Sequence, residues 1–80
     1  MTAVTVLYFA SLRDASGMAS EHVQSAAVNL RALYEELQPR HGFVMPVSRL
    51  RVAVNGDFAS WDDSLVEDSE VAFIPPVSGG

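Results

Sequence analysis

Leu30, Leu33, Tyr34 and Leu37 fall at i, i+3, i+4 and i+7, the apolar stripe of an amphipathic helix that lays one side on a core. The other patterned stretches of the chain read as strands and turns, so the fold must be a sheet with one main helix to cover it. The ends of that helix are written locally. Asn29 is placed to act as N-cap, its side-chain oxygen accepting from an N–H of the first turn. Val28 and Leu33 occupy the positions of a hydrophobic staple. Pro39, which lacks an N–H, and Gly42, which tolerates left-handed dihedrals, are expected to stop the helix. Burying its four large side chains stabilises by on the order of 6–12 kcal/mol as an upper bound, enough to make it the main cover of the sheet.

The strands follow from residue type and alternation. Val4 to Phe9 is β-branched and aromatic, too short for an ordinary helix, and apolar on both faces, as in an inner strand. Val4, Val6 and Tyr8 form one face, Thr5, Leu7 and Phe9 the other. A loop through Arg13, Asp14 and Gly17 leads to Ser20–Ala27, polar enough for an edge strand. Leu50–Asn55 alternates with Leu50, Val52 and Val54 inward and Arg51 outward, and Asn55-Gly56 is a tight hairpin dipeptide. Phe58–Trp61 reads as a short return strand. After Asp62-Asp63-Ser64 and an acidic turn at Glu67–Glu70, the last strand is Val71–Ile74, ended by Pro75-Pro76. The order β-β-α-β-β-β implies an α+β domain with a mixed sheet of four or five strands and the main helix on one face. The other face is left bare. By parity it shows Leu7, Phe9, Phe58 and Ile74, which read either as a partner's landing site or, for Phe9 and Phe58, as residues under a local loop.

Length and composition narrow the chemistry. Eighty residues, 49% apolar and 19% charged, make one small domain with a core of its own. There are 0 cysteines, and the five basic residues, Arg13, Arg31, Arg40, Arg49 and Arg51, are all arginine. Disulfides, thiolate metal sites, cysteine nucleophiles and lysine Schiff bases are therefore excluded. A net charge of −5 is the wrong sign for binding a phosphate backbone, so no nucleic-acid partner is expected. The longest apolar run, Val6–Ala10, is far short of a membrane span, and Met1-Thr2-Ala3 lacks the basic start of a secretory signal; no membrane association is expected and the reading is cytoplasmic.

The usual catalytic constellations are missing. His22 and His41 have no second imidazole or cysteine at ligand spacing and read as surface residues, so no metal site is expected. Gly17, Gly42 and Gly56 are isolated turn glycines, which leaves no phosphate-binding loop. Asp62 and Asp63, adjacent on a loop, read as caps or solvated charges. Six carboxylates, Asp57, Asp62, Asp63, Glu67, Asp68 and Glu70, lie in one stretch, either a solvated rim or a surface that steers a basic partner. The end of the chain is different. It leaves a buried strand through two prolines and carries no side chain at Gly79 or Gly80, a peptide able to thread a narrow channel and present its carboxylate.

Three runs carry a resemblance that covers the whole chain: Tyr8-Phe9-Ala10-x-Leu12-Arg13-Asp14-x-x-Gly17, Ala53-Val54-Asn55, and Asp68-x-Glu70-Val71-Ala72-Phe73-x-Pro75-Pro76-Val77-Ser78-Gly79-Gly80. The chain resembles the small, sulfur-carrier subunits of molybdopterin synthase. This resemblance implies a ubiquitin-like β-grasp domain over residues 1–74 and a flexible C-terminal tail over 75–80. It further implies that the carboxylate of Gly80 is adenylated, converted to a thiocarboxylate, and donates sulfur to cyclic pyranopterin monophosphate in the active site of a large catalytic subunit. Gly79 would then give access to that site, and Pro75, Pro76, Val77 and Ser78 would set the tail's path. Phe9, Phe58 and Ile74 are the expected docking residues, with Arg13 as an ionic contact. The implied partners are the large subunit, in a heterotetramer of two small and two large subunits, an adenylyltransferase resembling ubiquitin-activating enzyme, and a sulfur-donor enzyme. No bound cofactor and no active site of its own are expected; ATP is used by the activating enzyme. A carrier for thiamine or cysteine synthesis, or a non-catalytic ubiquitin-like modifier or docking module, are the alternatives.

Overall fold

The computed structural model describes residues 1–76. Five strands, β1 (Thr2–Tyr8), β2 (Ser20–Ser25), β3 (Arg51–Val54), β4 (Asp57–Ala59) and β5 (Glu70–Ile74), form one sheet in the order β2-β1-β5-β3-β4. β1 and β5 run parallel at the centre, and the remaining neighbours are antiparallel. The sheet is therefore mixed and five-stranded, with β2 at one edge and β1 inside it, as the composition of each predicts. Two helices, α1 (Ala10–Ser16) and α2 (Leu30–His41), and a 3-10 turn at Val47–Arg49 complete the fold.

Helix α2 covers one face. Leu30, Leu33, Tyr34 and Leu37 are fully buried against Val4, Val6, Tyr8, Val23, Val52, Val71 and Phe73 of the sheet. The aromatic part of this core is ordered by ring geometry: Tyr34 meets Phe73 edge-on at 5.1 Å, and Trp61 stacks on Phe73 at 5.8 Å. Burial raises the pKa of the Tyr34 phenol, whose hydroxyl donates to the Met45 carbonyl at 2.6 Å.

The start of α2 shows where its orphan donors go. Asn29 Oδ1 accepts from Ala32 N at 2.8 Å, as its position predicts. Leu30 N and Arg31 N donate to the carbonyls of Asp63 and Trp61, each at 3.0 Å, so the turn after β4 caps the helix from outside. The expected staple is not made: Val28 is 76% exposed, because the 60–63 turn holds the start of the helix instead. Pro39 does not stop α2 but lies inside it. The carbonyl it leaves without a helical donor is that of Glu35; both residues are on the exposed side, where water can serve. Gly42, at φ 72°, is the true C-cap.

The expected loop through Arg13 and Asp14 is also corrected. It is helix α1, closed by Gly17 at φ 75°. Only Leu12 of its seven residues is buried, so it has no stripe for a periodicity reading to find. Asn55 at φ 51° and Gly56 at φ 89° form the expected hairpin turn, and β4 ends at Ala59, two residues short of the expected Trp61. No helix among the described residues is long and apolar enough to cross a membrane.

Candidate functional site

Strand pairing decides what the uncovered face of the sheet presents. Leu7 stands opposite Ala72, Ala72 opposite Ala53, and Ala53 opposite Phe58, one row across β1, β5, β3 and β4. Side chains in such a row share a face. The small pair Ala72 and Ala53 is low between Leu7 and Phe58, and Phe58 is 64% exposed. The next row toward the end of β5 pairs Ile74 with Arg51. The Arg51 guanidinium lies over the Phe58 ring, Cζ 4.2 Å from its centroid, a cation–π contact along the sheet.

Beyond Tyr8 the chain turns into α1 through Phe9 and Ala10. Phe9 is extended and 45% exposed, and Ala10 adopts φ 51°, a left-handed conformation that costs a residue with a Cβ about 1–2 kcal/mol. Phe9, Ala10, Ile74, Pro75 and Pro76 line one shallow apolar groove of about 270 Å³. Pro75 is buried and Pro76 exposed, so the chain is held at its last core residue and then released to the surface.

The sequence-predicted residues are thus placed as follows. Phe9 and Ile74 meet at the groove beside Pro75 and Pro76. Phe58 belongs to the same outer face, joined to Ile74 through Arg51. Arg13, exposed in the last turn of α1, does not line the groove, and among the described residues no carboxylate pairs with it. Val77, Ser78, Gly79 and Gly80 lie outside the described residues. Sequence alone does not mark Ala10 or Arg51 as site residues. The alternation of β3 already put Arg51 outward, but its neighbours Ile74 and Phe58 come from strand pairing that no local pattern encodes.

Three of the six carboxylates in the acidic stretch are used by the fold. Asp62 pairs with Arg31, Asp63 Oδ2 accepts from Ser60 N at 3.1 Å, and Glu67 Oε1 accepts from Ala3 N at 2.9 Å. No group of three His, Cys, Asp or Glu able to hold a metal occurs among the described residues. One histidine departs from expectation. His41 is not a surface residue: its side chain is 10% exposed, its ring packs on Tyr8 and Phe43, and Nε2 meets Glu21 Oε1 at 2.9 Å. Glu21 also accepts from the Tyr8 hydroxyl at 2.7 Å and lies 3.7 Å from Arg40. Burial would raise the Glu21 pKa, but the hydrogen bonds from Tyr8 and His41 and the nearby positive charge outweigh it and hold the carboxyl below its ordinary value. Burial and the Glu21 carboxylate push the Tyr8 phenol up.

Comparison with known proteins agrees with this architecture. The ThiS family model matches residues 6–80. The molybdopterin synthase sulfur carrier subunit of Escherichia coli is 32% identical, over 96% of this chain and 99% of that protein. Its namesake in Homo sapiens is 34% identical, over 96% and 93%. Among solved structures, a putative molybdopterin converting factor subunit 1 from Pyrococcus furiosus superposes with a TM-score of 0.78 at 30% identity, over 96% of this chain and 100% of that one. The fold also matches, at TM-score 0.68 and 21% identity over 99% and 100%, a chain of the complex of subunits 1 and 2 of molybdopterin-converting factor from Helicobacter pylori. The fold is a ubiquitin-like β-grasp, as the resemblance implied.

Proposed function

The chain belongs to the ThiS family, and we propose that it is a sulfur carrier in molybdenum cofactor biosynthesis, the small subunit of a molybdopterin synthase. The observation that carries this reading is similarity along nearly the whole chain to two proteins named as molybdopterin synthase sulfur carrier subunits. The family match runs through residue 80 and so includes the Gly79-Gly80 ending on which this reading places the chemistry.

The chemistry then follows from what a carboxylate lacks. Its charge is delocalised and its oxygen leaves badly, so it must be activated before sulfur can replace oxygen. An adenylyltransferase resembling ubiquitin-activating enzyme transfers AMP from ATP to the Gly80 carboxylate, releasing pyrophosphate. A sulfur donor then displaces AMP and leaves a thiocarboxylate. That sulfur is a soft nucleophile on a tether, and it is delivered to cyclic pyranopterin monophosphate in the large subunit, two deliveries building the dithiolene. This chain binds no ATP or pterin in this reading; it supplies the grip and the tail.

The geometry suits those two tasks. Pro75 is buried at the end of the central strand β5, which anchors the tail, and the groove and the Leu7–Phe58 row surround its root. Phe9, Phe58 and Ile74 are the docking residues of this reading, with Arg13 on the flank, in an assembly of two small and two large subunits. The test is a reconstitution with adenylyltransferase, ATP, sulfur donor and large subunit. Cyclic pyranopterin monophosphate should be converted to molybdopterin, and a variant with one residue appended after Gly80 should fold normally and transfer nothing. Sulfur accepted only by a thiamine- or cysteine-forming enzyme, or an isopeptide-linked product, would replace this reading by a carrier of another pathway or a modifier.

A further inference from the structure

We infer that Arg51 is a specificity-determining contact of the docking face, and that the partner covering this face sets a carboxylate against its guanidinium. The inference rests on the carrier reading and goes beyond it to a chemical feature of the partner.

It starts from reach. Arg51 stands directly opposite Ile74 in the β3–β5 ladder, so their Cα atoms are about 5 Å apart. Residues 77–80 can extend at most about 14 Å. A partner whose reacting centre receives Gly80 must therefore press against the root of the tail, and Ile74, Pro75 and Pro76 form that root. Arg51 lies within the covered area, flanked by Ile74 on β5 and Phe58 on β4.

Next comes charge. Arg31 and Arg40 are tied to carboxylates, Arg31 to Asp62 and Arg40 to Glu21 and Glu36. Arg51 is exposed, and among the described residues no carboxylate pairs with it. Its guanidinium rests instead on the Phe58 ring. That contact is an attraction to the ring face and gives the guanidinium's N–H donors no carboxylate to bond. Covering an apolar face around an unpaired guanidinium would strand a charge out of water. The docked state is tolerable only if the partner supplies an acceptor, and a carboxylate matches the planar fork with two parallel hydrogen bonds. Arg13 and Arg49 are likewise exposed with no carboxylate partner among the described residues, and what sets Arg51 apart is its place between Ile74 and Phe58 on the uncovered face.

The test measures association of the full-length carrier with the large subunit of molybdopterin synthase from the same organism, by calorimetry at several NaCl concentrations. Arg51→Leu removes the charge, and Arg51→Gln keeps a polar side chain; thermal melting checks that each is folded. Both should raise the Kd at least about 30-fold and flatten its salt dependence. Unchanged affinity in a folded variant, or a loss with the salt dependence intact, overturns the inference and leaves the carrier reading standing. A wild-type carrier that fails to associate overturns the carrier reading and this inference with it.

Discussion

The Tyr8 hydroxyl donates a 2.7 Å hydrogen bond to Glu21 Oε1, the same oxygen that His41 Nε2 meets at 2.9 Å. A carboxylate only accepts, so both donors carry their protons toward it. This cluster ties the end of β1, next to Phe9, to the C-terminus of α2. Because the folded pKa of Glu21 is depressed, its stabilisation is fully present above the unfolded value of about 4.5 and is lost as pH falls through the folded value. Glu21→Gln should therefore flatten the fall in urea midpoint below about pH 4.5 while lowering stability at pH 7. A variant whose acid limb matches the wild type would remove Glu21 from the acid response.

Asp68 tests the acidic turn. Its φ of 62° is left-handed, and its N–H donates to the Ala3 carbonyl at 2.7 Å, which pins that conformation. A β-branched residue resists such dihedrals, so Asp68→Val should cost about 1–2 kcal/mol, read from denaturant unfolding, whereas Asp68→Gly should cost nothing measurable. Equal losses in both would locate the importance of Asp68 in its carboxylate and not in its backbone.

Phe58 separates docking from folding. It is 64% exposed and contributes to the fold through the cation–π contact with Arg51, worth about 0.5–1 kcal/mol at an exposed site. Phe58→Asp should shift the melting temperature by only a few degrees and weaken association with the large subunit by about tenfold or more. An unaffected affinity would move the docking surface off the β4 side of the sheet.

What the sequence reveals here is what local chemistry encodes. The α2 stripe, the Asn29 cap, the Asn55-Gly56 turn and the inward faces of β1, β3 and β5 each depend on neighbours within a few residues. Parity along the strands even places Leu7, Phe58 and Ile74 on the uncovered face before any pairing is known. Helix α1 escapes because one buried leucine makes no period. Pro39 misleads because it falls in the last turn of α2 on the exposed side, where the Glu35 carbonyl that loses its donor can turn to water. The rest is non-local: His41 finds Glu21 across 20 residues, and Arg51 finds Ile74 across a strand pair whose register is set by the whole sheet. The absence of cysteine also takes on a sharper meaning. If the chain carries sulfur as proposed, the lack of cysteine rules out a side-chain persulfide, in keeping with the proposal that the Gly80 carboxyl is the group loaded.

The most direct measurement of that central claim is the intact mass of the chain after incubation with the adenylyltransferase, ATP and a sulfur source. The account predicts a gain equal to one oxygen-to-sulfur exchange, located at Gly80 by fragmentation and lost again when large subunit and cyclic pyranopterin monophosphate are added. An unchanged mass with all components active, or sulfur found anywhere other than Gly80, would contradict it.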